Sequence, residues 1–355
     1  ALKALFVRQN PSLRLLRIDV KMDPKALLSL ITNYVPKLQD LDLSVTWRGD
    51  VKVLLENLPE YLRIVRLRDV HHEAPGNTGE ASRVEPGVGS RTMKRHHVLE
   101  SFSIGGDLAG QDEDVLLPFL GSCSRNLKSF GGKWSVRFFH NARIASALSD
   151  LAPASIFTYV MWDCGVREPL GSHLQAVLSK ATRLRTLQAH WLLRDGKISA
   201  TDILSSEWAT TSLEHVDSKI DVPRVNDDTL SSNIEAIQSS RDTQRQVLRR
   251  FGQQRNLRRL IIGGMAYSPA SNVFGYQRNC LEMTLESGLD ELVNLKNLEV
   301  LDIHHMDHRV GVPELEWMNQ NLPNLQHLIG MGDNITPPSP EVRHWLQTHQ
   351  SRFWR

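Results

Sequence analysis

The chain has 355 residues, of which 41% are hydrophobic, so it can bury a long apolar core. Lys and Arg number 42 against 40 Asp and Glu, and this formal charge of +2 argues against a global field that would attract nucleic acid or an anionic membrane. The three cysteines, Cys123, Cys164 and Cys280, are widely spaced, and no apolar run is long enough to span a bilayer, so we expect an intracellular protein, cytoplasmic or nuclear, with buried thiols.

The residues before Asn10 read as the second half of a helix, and no capping segment precedes Leu13, so we expect that the N-terminal region of the protein is missing. From Leu13 one apolar phrase recurs: an apolar residue, two variable residues, a second apolar residue, one variable residue and usually a third apolar residue. Most copies lie 24 to 29 residues apart, and such a period predicts a solenoid. The eleven copies begin at Leu13, Leu38, Leu62, Leu99, Leu127, Ile156, Leu184, Leu213, Leu257, Leu298 and Leu325.

Each copy predicts one short strand followed by one helix. The apolar spacing has a period of two in the phrase itself and becomes helical in the residues that follow. Pro24 and Pro313 stand where a helix would begin, and further prolines stand just before the next strand, at Pro36, Pro59 and Pro323. The proline positions therefore agree with the period.

Three intervals exceed the basic period and predict loop insertions. Residues 71–97 are rich in Gly and Pro, residues 222–243 are polar and predict a loop followed by an exposed helix, and residues 264–284 form the third insertion. Such insertions either contribute to binding or are tolerated surface loops, and the sequence leaves both open. Residues 336–355 predict a C-terminal cap, in which a short helix places Val342, Trp345 and Leu346 over the last repeat.

The phrase Leu-x-x-Leu-x-Leu on this unit resembles the leucine-rich repeat, with a unit length similar to the ribonuclease-inhibitor-like subclass. The resemblance implies one array over residues 1–355, an α/β solenoid that forms a curved right-handed superhelix of about eleven irregular strand–helix repeats with a parallel sheet on the concave face. Such repeats normally carry Asn or Cys three residues after the last apolar position, where only Cys164 fits. The long insertions, the segment 288–318 and the closing Pro-Ser-Pro-Glu-Val-x-x-Trp-Leu helix resemble the leucine-rich regions of fungal F-box proteins.

That family implies an adaptor. Its F-box docks onto a cullin-based ubiquitin ligase, and its repeat arc holds the protein substrate for ubiquitin-dependent degradation. The F-box itself is absent from this chain, so contact with the ligase adaptor is expected only through the missing segment. The resemblance therefore implies the substrate-recognition region, and the alternative is a free-standing leucine-rich-repeat scaffold or inhibitor unrelated to ubiquitin.

Residues between and just after the apolar positions of each strand are predicted to contact a protein partner on the concave face. They include Arg66 and Arg68, and Asp302 and His304. A further candidate is a row of tryptophans that follows three successive strands, formed by Lys133, Trp134, Trp162, His190 and Trp191. Tryptophan is enriched at binding hot spots but also fills turns as ordinary core, so binding and packing both remain open.

The sequence lacks the patterns that would predict catalysis or a cofactor. Phosphate-loop, nucleophile-elbow and zinc-protease signatures are missing. The histidines at 71–72, 96–97 and 304–308 have no enforced common geometry for a metal. The basic segment Arg241 to Arg259 predicts a solvated helix face, which fits an acidic protein partner better than nucleic acid. We therefore predict a protein-binding chain that is not an enzyme and has no cofactor, metal, nucleic-acid or membrane partner.

Overall fold

A computed structural model describes residues 13–19, 24–48, 51–71, 95–107, 112–123, 126–133, 147, 158–162, 171–190, 198–205, 207–222, 234–264, 266–268, 273–275, 279–332 and 338–349. The chain divides into two compact units, Ala1–Cys164 and Gly165–Arg355. Each unit alternates strands with helices, and its main sheet is parallel. The fold class is therefore α/β, as the repeating phrase predicts.

Six strands of the first unit form a parallel sheet in the order β1-β2-β3-β4-β5-β6. Strands that follow one another in the chain are neighbours in the sheet. Two parallel strands need a crossover connection between them, and the segments between these strands are long enough to supply it. The phrase aligns across the sheet: Leu41 is the Cα partner of Leu16 on one side and of Val65 on the other. The elements are β1 (Leu15–Asp19), α1 (Pro24–Tyr34), β2 (Asp40–Arg48), α2 (Val51–Glu56), β3 (Ile64–His71), β4 (Ser101–Asp107), α3 (Asp112–Ser122), β5 (Ser129–Lys133) and β6 (Thr158–Trp162).

The core of the first unit lies between the apolar face of its sheet and its helices. Phe102 of β4 is fully buried, and its ring centroid lies 4.6 Å from that of Phe119 in α3 and 6.3 Å from that of Phe130 in β5. In α1, the side chains of Leu27 and Ile31 are 0% exposed and lie four residues apart, on one side of the helix. The apolar positions of the phrase are therefore core positions.

Five strands of the second unit form a parallel sheet in the order β7-β9-β11-β14-β15, and two smaller sheets pair β8 with β10 and β12 with β13. The elements are α4 (Gly171–Lys180), β7 (Thr186–His190), β8 (Ile198–Ser199), α5 (Ala200–Leu204), β9 (His215–Ser218), β10 (Ile220–Asp221), α6 (Ile234–Gly252), β11 (Arg259–Ile261), β12 (Ala266–Ser268), β13 (Val273–Gly275), a 3-10 helix (Leu289–Asn294), β14 (Val300–Asp302), α7 (Val312–Asn321), β15 (His327–Ile329) and α8 (Pro340–Thr348). Main-sheet strands again follow one another in chain order.

One turn recurs before the strands of both units. The amide of the first leucine donates to the carbonyl three residues earlier, at 3.1 Å from Leu38 to Val35 and at 2.9 Å from Leu257 to Gln254. The same bond forms at Leu62, Leu99, Leu184, Leu298 and Leu325. Each of these leucines is at most 1% exposed. The turn closes the preceding segment and sets the level at which the next strand begins.

The predicted insertions differ in outcome. Residues 72–94 lie outside the described residues, so the insertion 71–97 stays a prediction over most of its length. A helix is present within 222–243, since α6 begins at Ile234, whose side chain is 82% exposed, whereas residues 223–233 of the predicted loop lie outside the described residues. The insertion 264–284 is not only a loop, because β12 and β13 form an antiparallel pair within it. Only Ala266–Ser268 and Val273–Gly275 pair, a length too short for strand periodicity to reveal.

The C-terminal helix α8 confirms the short amphipathic helix predicted within 336–355. Ser339 caps it, since the Ser339 hydroxyl accepts a hydrogen bond from the Val342 amide at 3.3 Å. Val342 and Trp345 are buried, and Leu346 is half-buried. The helix contacts α7, so its apolar side covers the preceding element.

Candidate protein-binding surface

Side chains alternate along each strand between a buried face of the sheet and a more exposed face. In the second unit, core residues Leu187, Val216, Leu260, Leu301 and Leu328 are at most 1% exposed. The residues between core positions are mostly half-buried or exposed, and we call them the exposed strand face. Its described members are Leu15, Arg17, Asp40, Asp42, Ile64, Arg66, Ser101, Ser103 and Ser129 in the first unit, and Thr186, Gln188, His215, Asp217, Arg259, Ile261, Val300, Asp302, His327 and Ile329 in the second.

In-register pairing arranges this face into rows that run across the strands. In the second unit, Arg259 is the Cα partner of His215 and of Val300, and Ile261 is the partner of Asp217 and of Asp302. Neighbouring strands lie about 4.8 Å apart, so each row presents one side chain per strand at that spacing. A partner can therefore touch several strands at once without entering a cavity.

An asparagine ladder holds the strands at a common level. The side-chain amide of Asn126 donates to the His97 carbonyl at 2.8 Å, and that of Asn324 donates to the Lys296 carbonyl at 2.7 Å. Asn256 and Asn297 make the same bond to Thr211 and Arg255. Each asparagine directly precedes the first leucine of its copy. The repeat pattern did not predict this ladder, because the Asn of that pattern is expected three residues after the last apolar position.

A charge ladder also precedes the strands, at the residue after the first leucine. In the first unit, Glu100 accepts from Arg63 Nε and from Lys128 Nζ, both at 3.0 Å. The hydrogen bond from Lys128, and then that from Arg63, lowers the pKa of the Glu100 carboxyl. In the second unit Arg185 pairs with Glu214, and Arg258 with Glu299. Each ladder places opposite charges side by side, with two cations on one carboxylate in the first unit and one-to-one pairs in the second.

The predicted contact residue Arg66 lies on the exposed strand face. It is half-buried in β3, where its Cα partners are Asp42 and Ser103. Asp42 lies 3.7 Å from the guanidinium of Arg17. Arg66 itself makes no hydrogen bond or ion pair with any residue that the structure describes. Arg68 pairs in register with Ser44, and its side chain lies outside the described part.

The structure brings Asp302 and His304 together at the end of β14. Asp302 Oδ1 accepts a hydrogen bond from the His304 amide at 3.0 Å, and the His304 Nδ1 atom contacts the same oxygen. Asp302 is 8% exposed, whereas the His304 side chain is 32% exposed. The carboxylate therefore orients the imidazole, and His304 is the more exposed member of the predicted pair.

The predicted tryptophan row is described only in part. Lys133 ends β5 and Trp162 ends β6, and the two are Cα partners. His190 ends β7. Trp134 and Trp191 lie outside the described residues, as do the side chains of Lys133, Trp162 and His190. Binding and packing remain alternatives for this row.

The basic segment predicted as a solvated helix face is largely neutralised within the chain. Arg241, Arg245 and Arg249 follow one another at four-residue intervals on α6 and share one side of it. Arg245 Nη1 lies 3.1 Å from Asp290 Oδ1, Arg249 Nη2 lies 2.8 Å from Glu291 Oε1, and Arg241 pairs with Glu286. The hydrogen bond from Arg249 lowers the pKa of Glu291. These arginines fasten residues 282–291 to α6, so their partners include acids of the chain itself, while their side chains remain partly exposed.

Other candidate chemistry finds no geometric support among the described residues. They contain no group of three or more His, Cys, Asp or Glu side chains placed to hold a metal ion. Cys123 and Cys280 are buried free thiols, and burial raises the pKa of Cys123 to about 12. Within the described part of the chain, no helix is long and apolar enough to cross a membrane.

Comparison with known proteins adds no family assignment. No protein-family model matches the sequence, and a search of curated proteins found no match.

Proposed function

We propose that this chain is a protein-interaction module, a leucine-rich-repeat solenoid that holds a partner protein on its exposed strand face. The observation that carries the proposal is the in-register alternation of the parallel strands, which gives one buried row and flanking rows of varied side chains. The recurring turn and the asparagine ladder support it, since the turn recurs at seven of the copies and the asparagine bond at four. Stacked units of this kind use such faces to bind proteins.

The chemistry of the face in the second unit fits a protein interface. Ile329 is an apolar residue 41% exposed, with Ile261 also half-buried on the same row. Asp302 lies between them on that row, and the neighbouring positions of the face include Gln188, Arg259 and His327. Five strands at about 4.8 Å give a width of about 19 Å. Exposed apolar residues beside polar side chains occur at many protein–protein interfaces.

Within this role, we favour the substrate-recognition region of an F-box-type adaptor of a cullin-based ubiquitin ligase. The support is the sequence resemblance, together with the closing helix α8, whose Ser339 cap and buried Trp345 agree with the Pro-Ser-Pro-Glu-Val-x-x-Trp-Leu pattern. The alternative is a free-standing scaffold or inhibitor with the same binding face and no link to ubiquitin.

Ile329→Glu tests the binding role. A partner is isolated with the full-length gene product, purified, and its affinity for the chain is measured by calorimetry. We expect Ile329→Glu to weaken binding at least about tenfold, because it replaces an exposed apolar side chain of the face with a second carboxylate beside Asp302. Val293→Glu is the matched control, since Val293 is 37% exposed in the same unit but lies on the 3-10 helix. Loss of binding by the control, with Ile329→Glu unaffected, contradicts the proposal.

The ubiquitin link has its own test. If the proposal is correct, the ligase adaptor co-purifies with the full-length gene product, and the bound partner accumulates in cells when that product is deleted. Co-purification of the partner without the ligase adaptor, with partner abundance unchanged, supports the free-standing scaffold instead.

A further inference from the structure

One part of the exposed strand face of the first unit has a cation and no acid among its described side chains. We call it the β3–β5 surface, and these side chains are Ile64, Arg66, Ser101, Ser103 and Ser129. By register, Arg68 and Lys133 hold further positions of β3 and β5, and Asp107 at the end of β4 is the partner of His71. Other acidic positions of the unit belong to β1 and β2, at Asp19, Asp40 and Asp42.

Arg66 is the charged residue of this surface and has no acceptor among the residues that the structure describes. Its neighbour on β4 is Ser103, whose side chain is uncharged. Its neighbour on β2 is Asp42, which lies 3.7 Å from Arg17. Arg66 makes no hydrogen bond or ion pair with the described residues. A half-buried guanidinium loses part of its hydration, so an external carboxylate would gain a favourable pairing there.

In the described part of the chain, the cations of the neighbouring charge ladder are paired, unlike Arg66. Arg63 stands three residues before Arg66 and is fully engaged by Glu100, which also binds Lys128. The ladder cations therefore share an internal carboxylate, whereas Arg66 has no carboxylate partner among the described residues. The ladder directly precedes the strands, so the two kinds of cation lie close together in the chain.

We propose that the β3–β5 surface binds an acidic, extended segment of the partner protein, with one carboxylate on Arg66. This inference rests on the proposed function and names the chemistry of the partner. A carboxylate accepts two parallel hydrogen bonds from a guanidinium, and the serine hydroxyls of β4 and β5 can donate to neighbouring acceptors. The described side chains of this surface include no aromatic ring on which a base could stack, which favours an acidic peptide over single-stranded nucleic acid.

A defined peptide tests the chemistry directly. The probe is a fluorescein-labelled peptide that alternates Glu and Ser, and its comparison probes are the same peptide with Gln for Glu and a labelled single-stranded oligonucleotide. Fluorescence anisotropy measures the affinity of the chain for each. We expect binding of the Glu peptide that weakens as salt is raised, with much weaker binding of the Gln peptide and of the oligonucleotide.

Substitutions locate that binding. Arg66→Glu is expected to weaken binding of the Glu peptide at least about tenfold, because a pairing becomes a repulsion. Lys37→Glu makes the same charge change at an exposed turn residue of the same unit and is expected to alter affinity less than about twofold. Arg66→Met retains an apolar stem and is expected to weaken binding as well, which keeps the test valid if Arg66→Glu does not fold. An unchanged affinity in Arg66→Met, equal binding of the Gln peptide, or tighter Arg66-dependent binding of the oligonucleotide overturns the inference.

The natural partner separates this inference from the proposed function. If Ile329→Glu abolishes partner binding but Arg66→Met does not weaken it, the β3–β5 surface is not the acidic docking site and the binding role stands. If neither substitution weakens partner binding, the exposed strand face is not the interface and both proposals fail. Weakening by both substitutions supports both.

Discussion

Phe102 offers a direct test of which strand positions form the core. Its side chain is 0% exposed, and its ring centroid lies 4.6 Å from that of Phe119 and 6.3 Å from that of Phe130. Replacing a buried Phe by Ala removes its apolar contacts and leaves a cavity, at a cost of about 3–5 kcal/mol, which includes about 0.5–1.5 kcal/mol for the aromatic pairs. We therefore expect Phe102→Ala to lower the free energy of unfolding by about 3–5 kcal/mol. Urea unfolding followed by circular dichroism measures it.

The neighbouring residue supplies the control. Ser103 follows Phe102 in β4, is half-buried and belongs to the exposed strand face. Ser103→Ala should change the free energy of unfolding by no more than about 0.5 kcal/mol. The assignment of the two faces is refuted if the two substitutions cost the same, or if Phe102→Ala costs less than about 1 kcal/mol.

Four further predictions follow from the ladders, the thiol and the helix. The lowered pKa of Glu100 means that its carboxylate stabilises the fold above its ordinary pKa and that this contribution is lost as pH falls through the lowered value. Since the two cations that bind Glu100 are exposed, Glu100→Gln should lower the free energy of unfolding by less than about 1 kcal/mol at neutral pH, as measured by urea titration. A difference in stability between the two proteins that persists in strong acid contradicts this linkage. Because burial raises the pKa of Cys123 to about 12, iodoacetamide at neutral pH should modify its peptide only after unfolding, as judged by mass spectrometry, and rapid modification of the native protein counts against this burial. Asn324→Ala removes the donor 2.7 Å from the Lys296 carbonyl and should lower the urea-derived stability by about 0.5–1.5 kcal/mol, whereas no loss would show that the ladder bond is dispensable. Arg245→Met removes the contacts to Leu285, Glu286 and Asp290 and should speed amide hydrogen exchange in residues 284–291, while unchanged exchange would show that this segment is held by other contacts.

The buried half of the fold could be predicted from the sequence. Leucine spacing reports burial directly, and the first leucines from Leu38 to Leu325 that the structure describes are all at most 1% exposed. The parallel order of the strands follows from the same period, because short strand–helix units must cross over between neighbours. The helix of the C-terminal cap was also predictable from Val342 and Trp345, whose spacing places them on one side.

The polar features were harder to predict because they depend on pairs distant in sequence. Arg245 is 45 residues from Asp290, so the basic character of α6 gave no sign of its partners. The asparagine ladder had a readable signal, an Asn directly before the first leucine, which appears once the copies are aligned on that leucine. Alternating charges at the next position, as in Arg63, Glu100 and Lys128, would have appeared in the same alignment. For the exposed strand face, the sequence predicted which residues belong to it but not that Arg66 has no acceptor among the described residues.

Site-specific photo-crosslinking tests the central claim most directly. A photoreactive phenylalanine analogue is placed at Ser103 or Gln188 on the exposed strand face, and at Asn33 or Gln246 on exposed positions of α1 and α6. The full-length protein is irradiated with its bound partner, and crosslinked products are identified by mass spectrometry. Binding on the exposed strand face predicts partner crosslinks from Ser103 and Gln188 and none from the two helix positions. Crosslinks from Asn33 or Gln246, with both strand positions silent, would contradict it.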